Sequence, residues 1–200
     1  MVIWSGAGYI IEMLGKVKYK IGPKSFFQTN THQAERLFNQ VKLFAEIKSN
    51  DNVYDFYTGL GSIALFLADQ CRQVIGVENV QAAIDDAKDN ARLNGIENAH
   101  FICGDMKDIF NQSFIDTYGS ADVVITDPPR AGMHPEVVQT LLQMAAPKIV
   151  YISCNPATQA RDIQLLSEKY SLEKLQAVDM FPHTNHIESI ALLKLNDINC

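Results

Sequence analysis

Long apolar runs are missing from this 200-residue chain. No stretch reaches the ~18 uninterrupted apolar residues that cross a bilayer, so no membrane span is expected. The N-terminus lacks a basic region followed by an apolar core, so no secretory leader is expected and a cytoplasmic setting is. Paired cysteines are missing as well. Cys71, Cys103, Cys154 and Cys200 are scattered without a C-x-x-C, which argues against a zinc or iron–sulfur site and for reduced thiols. Internal repeats and low-complexity stretches are absent. What remains is a chain with 47% hydrophobic residues, which fits one globular domain with a sizeable core.

Positive charge is also short. The formal net charge of −6 does not by itself suggest a nucleic-acid binder. Residues 1–24 are the exception, with Lys16, Lys18, Lys20 and Lys24 against the single acid Glu12. There Lys16 to Ile21 alternates strictly, placing three lysines on one strand face and Val17, Tyr19 and Ile21 on the other. The lysines suit an edge strand guarded against aggregation, or a face that meets phosphates.

The most informative stretch is Asp55-Phe56-Tyr57-Thr58-Gly59-Leu60-Gly61. It joins a β-prone run (53–57) to a helical one, and its glycines let backbone approach a ligand beside a helix N-terminus. The next strand ends in Glu78, 17 residues after Gly61. That is about where a doubly wound fold places the carboxylate that holds ribose hydroxyls. Together they predict a nucleoside-cofactor site.

A helix is expected from an Asn30 or Thr31 cap through Ile47. Strands 53–57, 73–77, 99–102, 121–126 and 148–153 then alternate with helices 62–69, 80–93, 105–110, 135–145 and 157–168. This predicts a mostly parallel sheet with helices on both faces. After residue 168 two strands, Leu172–Met180 and Ile187–Leu195, follow without a helix between them. An antiparallel pair closing a parallel sheet is the pattern of Rossmann-like S-adenosylmethionine (SAM)-dependent methyltransferases.

Four places carry chemistry. Asp105, after the third strand of the series, is a candidate partner for an adenine amino group or a simple helix cap. Asp127-Pro128-Pro129-Arg130 ends the fourth, beside the crevice where open α/β sheets bind ligands, and its prolines fix where Asp127 and Arg130 point. Ser153-Cys154-Asn155-Pro156 ends the fifth. Pro156 suits a first helical turn, so Cys154 lies at a helix N-terminus, which favours negative charge and can lower a thiol pKa to give a nucleophile; on position alone a packed cysteine is the safer reading. Finally, His183, His186 and Glu188 cluster before the last strand. No matching ligand set occurs elsewhere, so no metal is expected, and Glu188 reads as a general base. Cys71 and Cys103 read as packing and Cys200 as a tail residue.

Taken in order, Phe26-Phe27-Gln28, the D-x-x-x-G-x-G run, Gly76-Val77-Glu78, Asp127-Pro128-Pro129-Arg130, Ser153-Cys154-Asn155-Pro156 and His186-Ile187-Glu188 resemble the catalytic domain of the RNA uracil-5-methyltransferases. That family makes 5-methyluridine in tRNA or 23S rRNA. The resemblance implies SAM as cofactor, held by Gln28, Tyr57, Gly59, Gly61, Glu78, Asp105 and Asp127. It implies Cys154 as a nucleophile at uracil C6, Glu188 as the base at C5, and Asp127 with Arg130 positioning an unstacked uridine. It also implies a division into residues 1–24, the end of a β-rich central part, and 25–200, the catalytic domain, with the RNA-binding region outside this sequence. Two other readings stay open: a SAM enzyme acting on an exocyclic amine of RNA, and a nucleotide-binding module without catalysis. Arg130 in place of an aromatic residue after Pro-Pro disfavours the first. The antiparallel last pair and the lack of G-x-G-x-x-G disfavour a nicotinamide enzyme.

Overall fold

The computed structural model describes residues 6–197; Cys200 and the first five residues of the 1–24 segment lie outside the described residues. An N-terminal hairpin of β1 (Ile10–Leu14) and β2 (Val17–Ile21) precedes α1 (Thr31–Ala45). Seven strands follow: β3 (Asn52–Phe56), β4 (Gln73–Glu78), β5 (Ala99–Cys103), β6 (Val123–Thr126), β7 (Lys148–Ser153), β8 (Tyr170–Val178) and β9 (Glu188–Leu195). They form one sheet in the order β5-β4-β3-β6-β7-β9-β8. The first five in this order run parallel, and β9 inserts antiparallel between β7 and β8. This is the α/β Rossmann-like architecture expected from the strand–helix rhythm.

Alternation within each strand builds two cores. Val53, Ile125, Val150 and Ile190 face α1, α2 (Ser62–Leu67) and α3 (Gln81–Asn94), while Tyr54, Val124, Ile149 and Ala191 face α6 (Pro135–Met144) and α7 (Pro156–Leu166). Burying each large side chain stabilises the fold by roughly 1.5–3 kcal/mol before entropy is counted. β3 is buried along its whole length and lies between β4 and β6, where the strand order reverses. The crevice of the fold opens at its C-terminal end.

Several element boundaries differ from expectation. The helix after Gly61 is α at Ser62–Leu67 and tightens to a 3₁₀ turn at Ala68–Gln70. The helix at 105–110 is only α4 (Met106–Ile109), and a further helix, α5 (Gln112–Tyr118), follows it. Its signals are local: the Asn111 side chain accepts from Phe114 N at 3.1 Å, Gly119 ends it with φ 81°, and Phe114 packs on Tyr54. β8 begins at Tyr170 rather than Leu172, because the buried Tyr170 ring anchors there and its hydroxyl donates to Ala146 O at 3.0 Å.

The hairpin joins the same core through Leu14, Tyr19 and Ile21, and Tyr19 donates to Ser62 O at 2.7 Å. Its lysine-bearing strand is not an open edge. Asn94 and Asn90 of α3 meet it with side-chain amides that imitate a neighbouring strand: Asn94 Oδ1 accepts from Lys18 N at 2.8 Å, and Asn90 Oδ1 from Lys20 N at 2.7 Å. No helix among the described residues is long and apolar enough to cross a membrane.

Candidate active site at the sheet's crevice

Where β3 ends, the chain folds back over its own carboxylate. Asp55 Oδ2 accepts from Thr58 Oγ1 at 2.6 Å and from Ala64 N, in the first turn of α2, at 3.1 Å. It therefore supplies the acceptor that Gly61, at the N-cap of α2, cannot. The other oxygen, Oδ1, is buried without any partner. Burial raises the Asp55 carboxyl to about 7, against the pull of the Thr58 and Ala64 hydrogen bonds.

A cavity of about 480 Å³ opens on this point. Gln28, Tyr57, Gly59, Asp127, Arg130, Cys154 and Glu188 all line it, together with Asp55. Gly59, at φ 56°, has open space where a Cβ would stand, so a ligand could approach its backbone closely. Tyr57 takes a left-handed conformation at φ 61°, a strain of roughly 1–3 kcal/mol for a non-glycine residue. Tyr57 also lines a second cavity of about 200 Å³, together with Glu78 and Asp105. The Glu78 carboxylate accepts from Gly59 N at 3.3 Å and Val80 N at 3.1 Å, which fixes it beside the glycine turn. Asp105 caps α4 through Lys107 N at 3.4 Å and still faces the second cavity.

Gly61 is the one expected cofactor residue that borders neither cavity. A Cβ there would stand 2.9 Å from the Phe101 ring, and its φ is 82°. Its glycine is required by packing and turn geometry rather than by ligand approach. Asp55, in contrast, was legible only as the first letter of the glycine motif, yet it lines the cavity. His186, Phe26, Phe27 and Phe181 also line it.

Cys154 stands one residue before Asn155, the N-cap of α7. The expected lowering of its thiol pKa is not what the surroundings produce. Burial raises it first, the Glu188 and Asp127 carboxylates add to that, and the Arg130 guanidinium opposes them. Burial and nearby acid together outweigh the arginine. Glu188 is 7% exposed and burial raises its carboxyl to about 7, with Arg130 pulling the other way. Asp127 is raised by burial, then by Glu188 and Asp55. Arg130 Nη2 also donates to His186 Nδ1 at 2.9 Å. Three acids (Asp55, Asp127 and Glu188), one arginine and a thiol thus share one cavity, a setting that favours a cationic ligand. Among the described residues no group of three or more His, Cys, Asp or Glu side chains is placed to hold a metal ion.

Residues 9–196 match the model of the tRNA (uracil-5-)-methyltransferase family. An uncharacterized RNA methyltransferase of Bacteroides thetaiotaomicron is 52% identical over 193 residues, covering 96% of this chain and 42% of the relative. One from Porphyromonas gingivalis is 52% identical over 198 residues, covering 98% and 43%. The chain therefore spans less than half the length of these relatives. Among solved structures, the Pyrococcus abyssi tRNA (uracil-54, C5)-methyltransferase in complex with S-adenosyl-L-homocysteine superposes with a TM-score of 0.81 at 38% identity, covering 94% of this chain and 45% of that one. Trm5b from the same organism, at 16% identity and TM-score 0.75, shares the fold.

Proposed function

The chain belongs to the tRNA (uracil-5-)-methyltransferase family, and from that premise we propose that it transfers a methyl group from SAM to C5 of a uridine in tRNA or rRNA through a cysteine adduct. The observation that carries this reading is the convergence of Cys154, Glu188, Asp127, Arg130 and Gln28 on one cavity. The residues present fit the cofactor. An orphaned Asp55 oxygen and an acidic wall suit its ammonium and sulfonium charges, Gly59 leaves room at the turn, and Glu78 and Asp105 line the neighbouring cavity where a nucleoside would lie.

When bound, SAM supplies an electrophilic methyl group on sulfur. Carbon 5 of uracil is too weak a nucleophile to take it unaided. The Cys154 thiol ionises beside Arg130 and its sulfur bonds to C6, turning the ring into an enolate that is nucleophilic at C5. After C5 has gained the methyl group, Glu188 removes the C5 proton, the double bond re-forms and the C6–S bond breaks. Gln28 and Asp127 hold cofactor and base, and the uridine enters unstacked from its RNA.

Covalent trapping tests this reading directly. The purified chain, SAM and RNA carrying 5-fluorouridine are resolved on a denaturing gel; fluorine cannot leave as a proton, so the protein stays on the RNA. The adduct should require SAM and vanish in Cys154→Ala. A Cys154→Ala chain with full turnover on ordinary RNA would overturn the mechanism.

A further inference from the structure

The loop that carries Arg130 is fastened to a single helix, the one that begins beside Cys154. Arg130 O accepts from Asn155 Nδ2 at 3.2 Å and shares the Thr158 hydroxyl, also at 3.2 Å, with Asn155 O at 3.0 Å, so that one hydroxyl bridges the Arg130 loop and the turn after Cys154. Ala131 O accepts from Arg161 Nη2 at 3.0 Å, and Met133 N donates to Asp162 Oδ2 at 2.8 Å. Asp162 is fully buried and also receives the Tyr151 hydroxyl at 2.7 Å and the Arg161 guanidinium. A carboxylate that accepts from that many donors is fixed in place. Gly132 between them has φ 80°, and a Cβ there would lie 2.6 Å from both Arg161 Nη2 and Asp162 Oδ2. Four consecutive loop residues therefore lie flat against one face of α7.

None of these α7 side chains is among the cavity's lining residues, so the methyl-transfer chemistry does not use them directly. We infer that Asp162 and Thr158 are positioning residues, which hold the Arg130 loop and the Cys154 turn as one rigid unit and so set the approach of the guanidinium to the sulfur. This rests on the reading of Cys154 as nucleophile, but it concerns geometry that can be measured without methyl transfer. The groups facing the thiol are Glu188 from β9, and Asp127 and Arg130 from the loop after β6; Arg130 alone is cationic. Loosening the loop removes that cation and leaves the two acids.

The test is the pH profile of Cys154 alkylation by iodoacetamide, followed by mass spectrometry of the Cys154 peptide in the intact chain. In Asp162→Asn the midpoint should move upward by about half a unit or more. Deleting a negative charge without moving Arg130 would shift it downward, so the sign separates positioning from simple electrostatics. Thr158→Val changes no charge and removes only the hydroxyl that bridges Arg130 O and Asn155 O, leaving Arg130 O the Asn155 amide; its midpoint should also rise, by less. This second variant keeps the test open should Asp162→Asn fail to fold. Binding of S-adenosylhomocysteine should stay within about twofold of the parent in both, because the loop's backbone grip is not part of the cofactor contacts. An unmoved or lowered midpoint in a folded Thr158→Val chain would overturn the inference. Loss of trapping by Cys154→Ala bears on the reaction and not on this grip, so the two can fail separately.

Discussion

Asn90 and Asp55 are both buried polar side chains in the layer of α1–α3 and the sheet, and the protein treats them oppositely. Asn90 is fully buried and satisfied at every atom: it accepts from Lys20 N and donates to Lys20 O at 3.4 Å and Leu60 O at 3.3 Å. Asp55, which lines the cavity, keeps one oxygen paired and leaves the other buried without a partner. The seam between hairpin and α3 is built for stability, with its donors and acceptors matched. The crevice end of the sheet is built for a ligand, so its carboxylates remain raised, crowded and incompletely bonded. Unmet polar demand marks where a partner belongs.

The largest effect should come from removing the crevice's base. Glu188→Gln keeps size and hydrogen-bonding capacity but cannot take a proton. Multiple-turnover formation of 5-methyluridine should fall by about 10²–10⁴-fold, while the methylated C6 adduct still forms and accumulates on ordinary uridine RNA. With the parent carboxyl at about 7, the rate of the intact chain should climb with pH up to that value as Glu188 ionises. A variant that turns over normally would move the base elsewhere in the cavity.

The opposite perturbation belongs to the seam. Asn90→Ala strips partners from Lys20 N, Lys20 O and Leu60 O at once. Unmet buried groups cost about 1–3 kcal/mol each, and water entering at the partly exposed hairpin offsets some of it, so a loss of about 2–4 kcal/mol is expected. Urea unfolding measures it. Binding of S-adenosylhomocysteine by the folded fraction should be unchanged; a weakened cofactor with unaltered stability would contradict the division between the two regions.

This contrast also explains what could be read from the chain alone. The crevice was legible because its chemistry sits in short contiguous strings: Asp127 with Arg130, Cys154 with Pro156, His186 with Glu188. The strand–helix rhythm then placed those strings at the same end of one sheet. Other features depend on distant pairs and left no local mark. Nothing near Lys18 and Lys20 announces that Asn94 and Asn90, some seventy residues on, will cap their strand. The thiol's direction of shift was misread for the same reason, since burial, and after it Glu188 and Asp127, act on Cys154 only through the fold. That Gly61 packs against Phe101 while Asp55 lines the cavity was not legible, because a motif gives spacing and not the direction of a side chain. The helix at Gln112–Tyr118 was a different kind of omission, since Asn111, Phe114 and Gly119 stood in plain order.

The smallest effect is the most direct measure of what the bare oxygen costs. Asp55 titrates near 3.8 when exposed and at about 7 in the fold, so the folded state holds its proton more tightly. Between these values the folded chain binds more protons than the unfolded one, and stability must fall as pH rises through that window. The contribution is fully present below about 4 and gone above about 7. Asp55→Asn cannot ionise, and its carbonyl can still accept from Thr58 and Ala64. It should match the parent near pH 4 and be more stable by about 1–2 kcal/mol at pH 8, less than the full linkage because the unfolded reference and local relaxation absorb part of it. Thermal unfolding at the two pH values reads the difference. If S-adenosylhomocysteine then stabilises the parent more than Asp55→Asn at pH 8, the oxygen left bare in the fold is one the ligand completes. Equal stabilisation of both chains would mean that the ligand leaves it bare.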